Sequence, residues 1–127
     1  TDSTIESIPL NHPGGCRGYK LTQKNRSFIY LCDNEFEAGQ RKILTNFVEK
    51  ADLLIWDGMF TDEELEQKKG WGHSSVEQAI HFNQEAQCKK VLIAHHAPHR
   101  TDAALDYISG KLPETVSFAR EKLEIEV

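Results

Sequence analysis

Apolar and polar positions along the chain follow two alternating periods. Four short apolar runs, residues 18–22, 27–31, 53–56 and 91–94, predict strands. Two of them, LLIW and VLIA, are unbroken apolar stretches, as expected of strands covered on both faces. The polar Lys24, Asn25 and Arg26 separate the first two and predict a hairpin. Residues 4–8 form a further strand candidate. Leu123, Ile125 and Val127 alternate with Glu124 and Glu126, which predicts a half-exposed edge strand at the end of the chain. Helical spacing fills the intervals. Ile43, Leu44, Phe47, Val48 and Ala51 fall on one face. Ser74 with Glu77 reads as a capping box opening a helix that turns Val76, Ala79, Ile80 and Ala86 inward. Thr61 with Glu64 reads as a second box over a short acidic helix. Thr101 caps a helix over Asp102–Ser109, with Leu105 and Ile108 inward and Gly110 as the stop. The predicted order is ββ(β)-α-β-α-α-β-α-β, an α/β chain of six strands and four helices.

Composition narrows this picture. At 127 residues the chain is long enough for one domain, and with 39% apolar residues it is globular rather than disordered. Fifteen Lys and Arg against twenty Asp and Glu give a net charge of −5, which argues against nucleic-acid binding through bulk positive charge. No apolar run approaches the ~20 residues of a membrane helix, and the first residues lack the basic start and apolar stretch of a signal peptide. The three cysteines, Cys16, Cys32 and Cys88, are widely spaced, form no zinc-finger pair and predict a reduced, cytoplasmic setting. No repeat or low-complexity segment interrupts the chain.

The chemistry lies at the predicted strand ends. His12, His73, His95, His96 and His99 sit at strand ends or in the loops after them. Asp33 follows one strand directly and Asp57 another. Ligands of α/β sheets bind beyond the carboxyl ends of the strands, so these side chains point towards one rim. Imidazoles with carboxylates suit Zn²⁺, Mn²⁺ or Fe better than Mg²⁺ or Ca²⁺, and a carboxylate can bridge two cations. Each position also has a plain structural reading. His12 before Pro13, Gly14 and Gly15 can be an ordinary loop residue. Asp33 can form a turn or cap a helix, and Asp57 can be a solvated strand-end carboxylate. One of His95 and His96 can simply be packed. Gly70-Trp71-Gly72 can be a tight turn with an anchoring Trp. His81, inside a helix, reads as structural or exposed, and 62–66 as a solvated acidic helix face.

Five segments then resemble, in order, the C-terminal half of a metallo-β-lactamase-fold hydrolase of the branch containing ribonuclease Z and the cyclic phosphodiesterases. They are LNHPGGCRGYKL, FIYLCDNE, ADLLIWDGMFTDEE, GWGHSSVEQA and VLIAHHAPHRTD. The resemblance runs from about Ile8 to the C-terminus. It implies half of an αββα sandwich, a mixed β-sheet flanked by helices, with residues 1–127 as the C-terminal half and the N-terminal half absent. It assigns His12 to one metal, His95 to the other, and Asp33 to both. His73 takes a place near the substrate, and Asp57 that of the carboxylate polarising a neighbouring His. His96, His99 and Asp102 match positions near the pocket mouth. Three features depart from the family pattern. His-x-His-x-Asp-His is absent, Trp56-Asp57-Gly58-Met59 is not the ribonuclease Z motif, and Ala97 replaces an acidic residue. Half a sandwich is also expected to leave one sheet face apolar.

The resemblance therefore implies part of a metal-dependent hydrolase. In the complete protein it would be a phosphodiesterase with two divalent metals, Zn²⁺ or Mn²⁺ with Fe as a further candidate, acting on a small phosphodiester such as a cyclic nucleotide. The isolated chain is expected to bind metal weakly and to turn over little or nothing. Its expected partners are the missing N-terminal half or another chain, or further copies of itself, with neither nucleic acid nor membrane. Two alternatives stand beside this: a truncated or degenerate module for binding or assembly, and a complete small α/β domain with one incidental His-lined metal site.

Overall fold

A computed structural model describes residues 2–127. Six strands form one mixed sheet whose spatial order follows the chain: β1 (Ser3–Leu10), β2 (Cys16–Gln23), β3 (Arg26–Leu31), β4 (Leu53–Asp57), β5 (Val91–Ala94) and β6 (Val116–Phe118). The first three pair antiparallel, and β3 to β6 pair parallel. The predicted hairpin joins β2 to β3. Gln23 pairs with Arg26 across a two-residue turn in which Lys24 and Asn25 both take positive φ, 49° and 62°, the twist that suits a tight hairpin. Helices α1 (Arg41–Val48), α2 (Asp62–Leu65), α3 (Val76–Ala86) and α4 (Asp102–Ser109) fill the crossovers, since parallel neighbours need long connections.

One face of the sheet carries the main core. Ile29, Leu31, Leu54, Trp56, Val91 and Ile93 point to it and meet Leu44, Val48, Ala79 and Phe82 from α1 and α3. Trp56, Phe36 and Phe82 pack with ring centroids 4.9–5.5 Å apart. The opposite face is covered only in part. Leu53, Ile55 and Leu92 are buried there, with Phe28 and Ile125 packed against them. Towards β1 and β2 the same face is open, leaving Ile5, Tyr19, Leu21 and Tyr30 between 40% and 72% exposed. The expected apolar sheet face is present.

Three expectations are corrected. The terminal strand over 123–127 does not form. The sixth strand is Val116–Phe118, and the last residues instead lay Ile125 on the second face. The cap of α3 is Ser75, not Ser74. Ser75 Oγ accepts from the Gln78 amide at 3.0 Å, and Gln78 closes the box. Ser74 is spent elsewhere, accepting from the Phe36 amide and donating to the Asn34 carbonyl. The 43–51 face is narrower than its pattern: α1 ends at Val48, and Ile43 is exposed.

Candidate metal centre

The β1–β2 loop, the segments that follow β3 and β5, the end of β4 and the stretch before α3 assemble the site. The β1–β2 loop carries His12 and turns tightly, with the Gly15 amide donating to the His12 carbonyl at 2.9 Å. It is stitched to the segment after β3 by Asn11, whose amide donates to Asn34 Oδ1 (2.8 Å) and whose carbonyl accepts from the Glu35 amide (2.8 Å). Those bonds bring His12 beside Asp33 across 21 residues of sequence. His95 follows β5 in left-handed backbone, φ 59°, a conformation that costs a non-glycine residue about 1 kcal/mol or more and that tends to occur at functional sites.

The decisive geometry is at Asp33. Its two carboxylate oxygens face different imidazoles: Oδ1 lies 3.2 Å from His95 Nε2, and Oδ2 lies 3.8 Å from His12 Nε2. The second distance is too long for a hydrogen bond. The first matches the ~3.3 Å that separates two ligands of one tetrahedral ion with bonds of about 2.0–2.1 Å, and the second is longer. His12 Nδ1 lies 2.8 Å from the Pro13 carbonyl, which can only accept. That nitrogen therefore carries the hydrogen, and Nε2 keeps a lone pair on the Asp33 side. Donor atoms of Asp33, Asp57, His73 and His95 all lie within 4.8 Å of one another. This set of imidazoles and carboxylates fits a divalent metal.

Asp57 is engaged differently. Its side chain is 1% exposed and takes three N–H groups: from His73 Nδ1 (2.8 Å), the Asn34 amide (3.1 Å) and the Met59 amide (3.2 Å). Burial pushes its carboxyl above the usual range, while His73 pulls the other way. With both oxygens occupied, Asp57 orients His73 and leaves His73 Nε2 as the nitrogen available to a ligand. The His73 ring stacks on His95 at 4.7 Å and meets His12 edge-on at 5.3 Å. The Cys32 side chain packs in the apolar cluster of the second sheet face with Leu53, Ile55 and Leu92, and burial raises its thiol pKa strongly.

With this geometry in view, comparison with known proteins is direct. The family described as "Beta-lactamase superfamily domain" matches residues 2–96. The chain belongs to the β-lactamase superfamily. Ribonuclease Z of Treponema denticola is 24% identical over 112 residues, 83% of this chain and 34% of that protein. The short form of human tRNase Z superposes with a TM-score of 0.75 at 21% identity, covering 96% of this chain and 42% of that one. The metallo-β-lactamase fold protein YhfI of Bacillus subtilis gives 0.75 at 22%, covering 93% and 47%. The expected metallo-β-lactamase fold is thus shown, and this superfamily chain spans about a third to a half of the length of these relatives. The fold implies divalent metal.

Within this superfamily chain, His12, Asp33, His95, Asp57 and His73 converge, whereas His96 does not. Its Nε2 lies 3.3 Å from the Ala119 carbonyl and its ring packs edge-on to Phe118. With Asp102 it lines a separate cavity of about 500 Å³. His81 and His99 are exposed. Three supporting residues escaped the sequence reading. Asn34 links the His12 loop to Asp57. Gly72, at φ 95°, lets the His73 loop approach so closely that a Cβ there would sit 2.4 Å from His12 Cδ2; its place beside Trp71 and His73 was the available signal. Arg100, its side chain 8% exposed, pairs with Glu64 at 2.7 Å and donates to the Met59 carbonyl at 3.0 Å, strapping the His95 loop to the Asp57 loop. This pairing lowers the Glu64 pKa.

Proposed function

We propose that this chain is the C-terminal part of a metal-dependent phosphodiesterase using two divalent metals, Zn²⁺ or Mn²⁺. Its substrate would be a small phosphodiester such as a cyclic nucleotide. The observation that carries the reading is the pair of Asp33 oxygens directed at His12 and His95, which would let this carboxylate serve two ions if both were bound. Bound metal would polarise the phosphoryl group and lower the pKa of an attacking water. Asp33, His12 and His95 would hold the ions. Asp57 would keep His73 Nδ1 protonated and steady the imidazolium, so that Nε2–H passes its proton to the departing oxygen. The charge of −5 favours a small substrate over a long RNA gripped by basic side chains.

His12 and Asp33 for one ion, and Asp33 and His95 for the other, fall short of the three protein ligands usual for catalytic zinc. The missing donors would come from an N-terminal half or another chain docked on the open sheet face, and the isolated chain would have little or no turnover. That shortfall also favours a second reading, a non-catalytic binding or assembly module. Hydrolysis of bis(p-nitrophenyl) phosphate with Zn²⁺ or Mn²⁺ separates them. A longer protein carrying His-x-His-x-Asp-His upstream should be active, and His12→Ala or Asp33→Ala should abolish that activity. Full activity after either substitution removes the hydrolase reading, and robust turnover by residues 1–127 alone contradicts the incomplete site.

A further inference from the structure

The two tryptophans occupy opposite environments. Trp56 is 1% exposed, and its indole N–H donates to the Ser75 carbonyl in the core. Trp71 is 56% exposed. A tight turn with an anchoring Trp was one reading of this stretch, and the ring is largely exposed rather than buried. The turn is instead fixed by its backbone. Gly70 and Gly72 on either side take φ 87° and 95°, the Gly70 amide donates to Glu35 Oε1 at 2.7 Å, and the Trp71 amide donates to the Lys68 carbonyl at 3.1 Å. A large apolar ring is thus presented to water by a held loop.

Its place is the rim of the metal centre. The next residue, Gly72, lies against the His12 ring. Phe60 bridges the other side, with its centroid 6.5 Å from that of Trp71 and 6.2 Å from that of His73. Lys68 Nζ lies 4.0 Å from the Trp71 ring centre. Among the described residues no carboxylate lies within ion-pair distance of Lys68. Lys68 thus has the Trp71 ring rather than a carboxylate as its neighbour, which leaves its ammonium able to pair with an anion held at the ring. Aromatic faces stack nucleobases with little regard to their identity, and a neighbouring cation adds to the hold.

We propose that Trp71 and Lys68 form a nucleotide-recognition platform at the rim of the metal centre, the indole stacking on the base and the ammonium pairing with the phosphate. This rests on the phosphodiesterase reading and narrows its substrate to nucleotides. The test follows the two indole N–H resonances of the ¹⁵N-labelled chain during titration with adenosine 5′-monophosphate, with ribose 5-phosphate as the control without a base. The Trp71 signal should move with the nucleotide and much less with the sugar phosphate, while the Trp56 signal stays fixed. By saturation-transfer NMR, Trp71→Ala should weaken nucleotide binding at least about fivefold, Trp71→Phe should retain most of it, and Lys68→Ala should weaken both ligands. An unmoved Trp71 signal, equal responses to the two ligands, or unchanged affinity in a folded Trp71→Ala variant overturns the platform. Zn²⁺ titration of the same sample keeps the two ideas apart. Zn²⁺ binding with a silent Trp71 defeats only the platform, and a responsive Trp71 without Zn²⁺ binding defeats the metal reading while supporting the platform.

Discussion

Two aspartates bracket β4, and they have opposite electrostatic fates. Asp52 precedes the strand at the end remote from the metal centre. It accepts from Lys89 (2.7 Å), the Ser27 amide (2.8 Å) and Arg26 (3.3 Å), and these donors, Lys89 foremost, hold its pKa down at about 2. Asp57 closes the same strand at the other end, where burial raises its pKa against the pull of His73. At the Asp52 end partners are abundant and the charge stabilises the fold. At the Asp57 end one charge is kept in the core to hold one imidazole. The same side chain is tied to exposed cations at one end of the strand and to a buried imidazole at the other.

The largest expected break in this contrast comes from Asp57→Asn. In the complete protein it should lower kcat about 100-fold, the smaller end of what general acid–base catalysis supplies, because His73 loses its anionic partner. Steady-state kinetics against metal affinity checks this: kcat should fall far more than Zn²⁺ binding does. The same variant tests the sign of the pKa shift. A raised folded-state pKa means that stability from Asp57 is present below about pH 4 and declines as pH rises through the folded value. Urea unfolding from pH 4 to 7 should show this decline in the wild type and its absence in the variant.

Next in size is Gly72→Ala. The added methyl group would collide with the His12 ring and the φ of 95° would become strained. Zn²⁺ affinity by calorimetry should fall about tenfold, as when the support of a metal ligand is disturbed, with helix content unchanged by circular dichroism. The smallest effect belongs to Asp52→Asn, about 1 kcal/mol of stability at pH 7, because Lys89 and Arg26 are largely exposed and solvent screens them. Here the pH dependence reverses. The depressed pKa gives stability that is complete above about pH 4 and lost as pH falls towards 2. The difference between wild type and variant should shrink over that interval, and metal binding should not change.

Sequence legibility also divides between these regions. The central strands were readable because LLIW and VLIA, covered on both faces, leave unbroken apolar runs, and the hairpin because its polar turn interrupts the pattern. The sixth strand was not: three residues, Val116–Phe118, carry too little periodicity, while the tail alternates without a partner to pair with. His12, Asp33 and His95 were named as candidate ligands from ordered motifs at strand ends, and their side chains lie together in the structure. Asn34, Gly72 and Arg100 were not, since they act through backbone groups and contacts between loops distant in sequence. Ser74 and Ser75 show the limit of local pattern. Either could cap α3, and the choice falls to Ser75 because Asn34 and Phe36 claim the Ser74 hydroxyl.

The central claim is that one carboxylate joins two imidazoles around metal. Isothermal titration of Zn²⁺ into the wild-type chain and into Asp33→Ala, each checked for folding by circular dichroism, tests it most directly. The account predicts weak but measurable binding to the wild type, loss of that binding in Asp33→Ala, and retention in a control such as Asp102→Ala in the separate cavity. A folded Asp33→Ala chain that takes up Zn²⁺ like the wild type would contradict it.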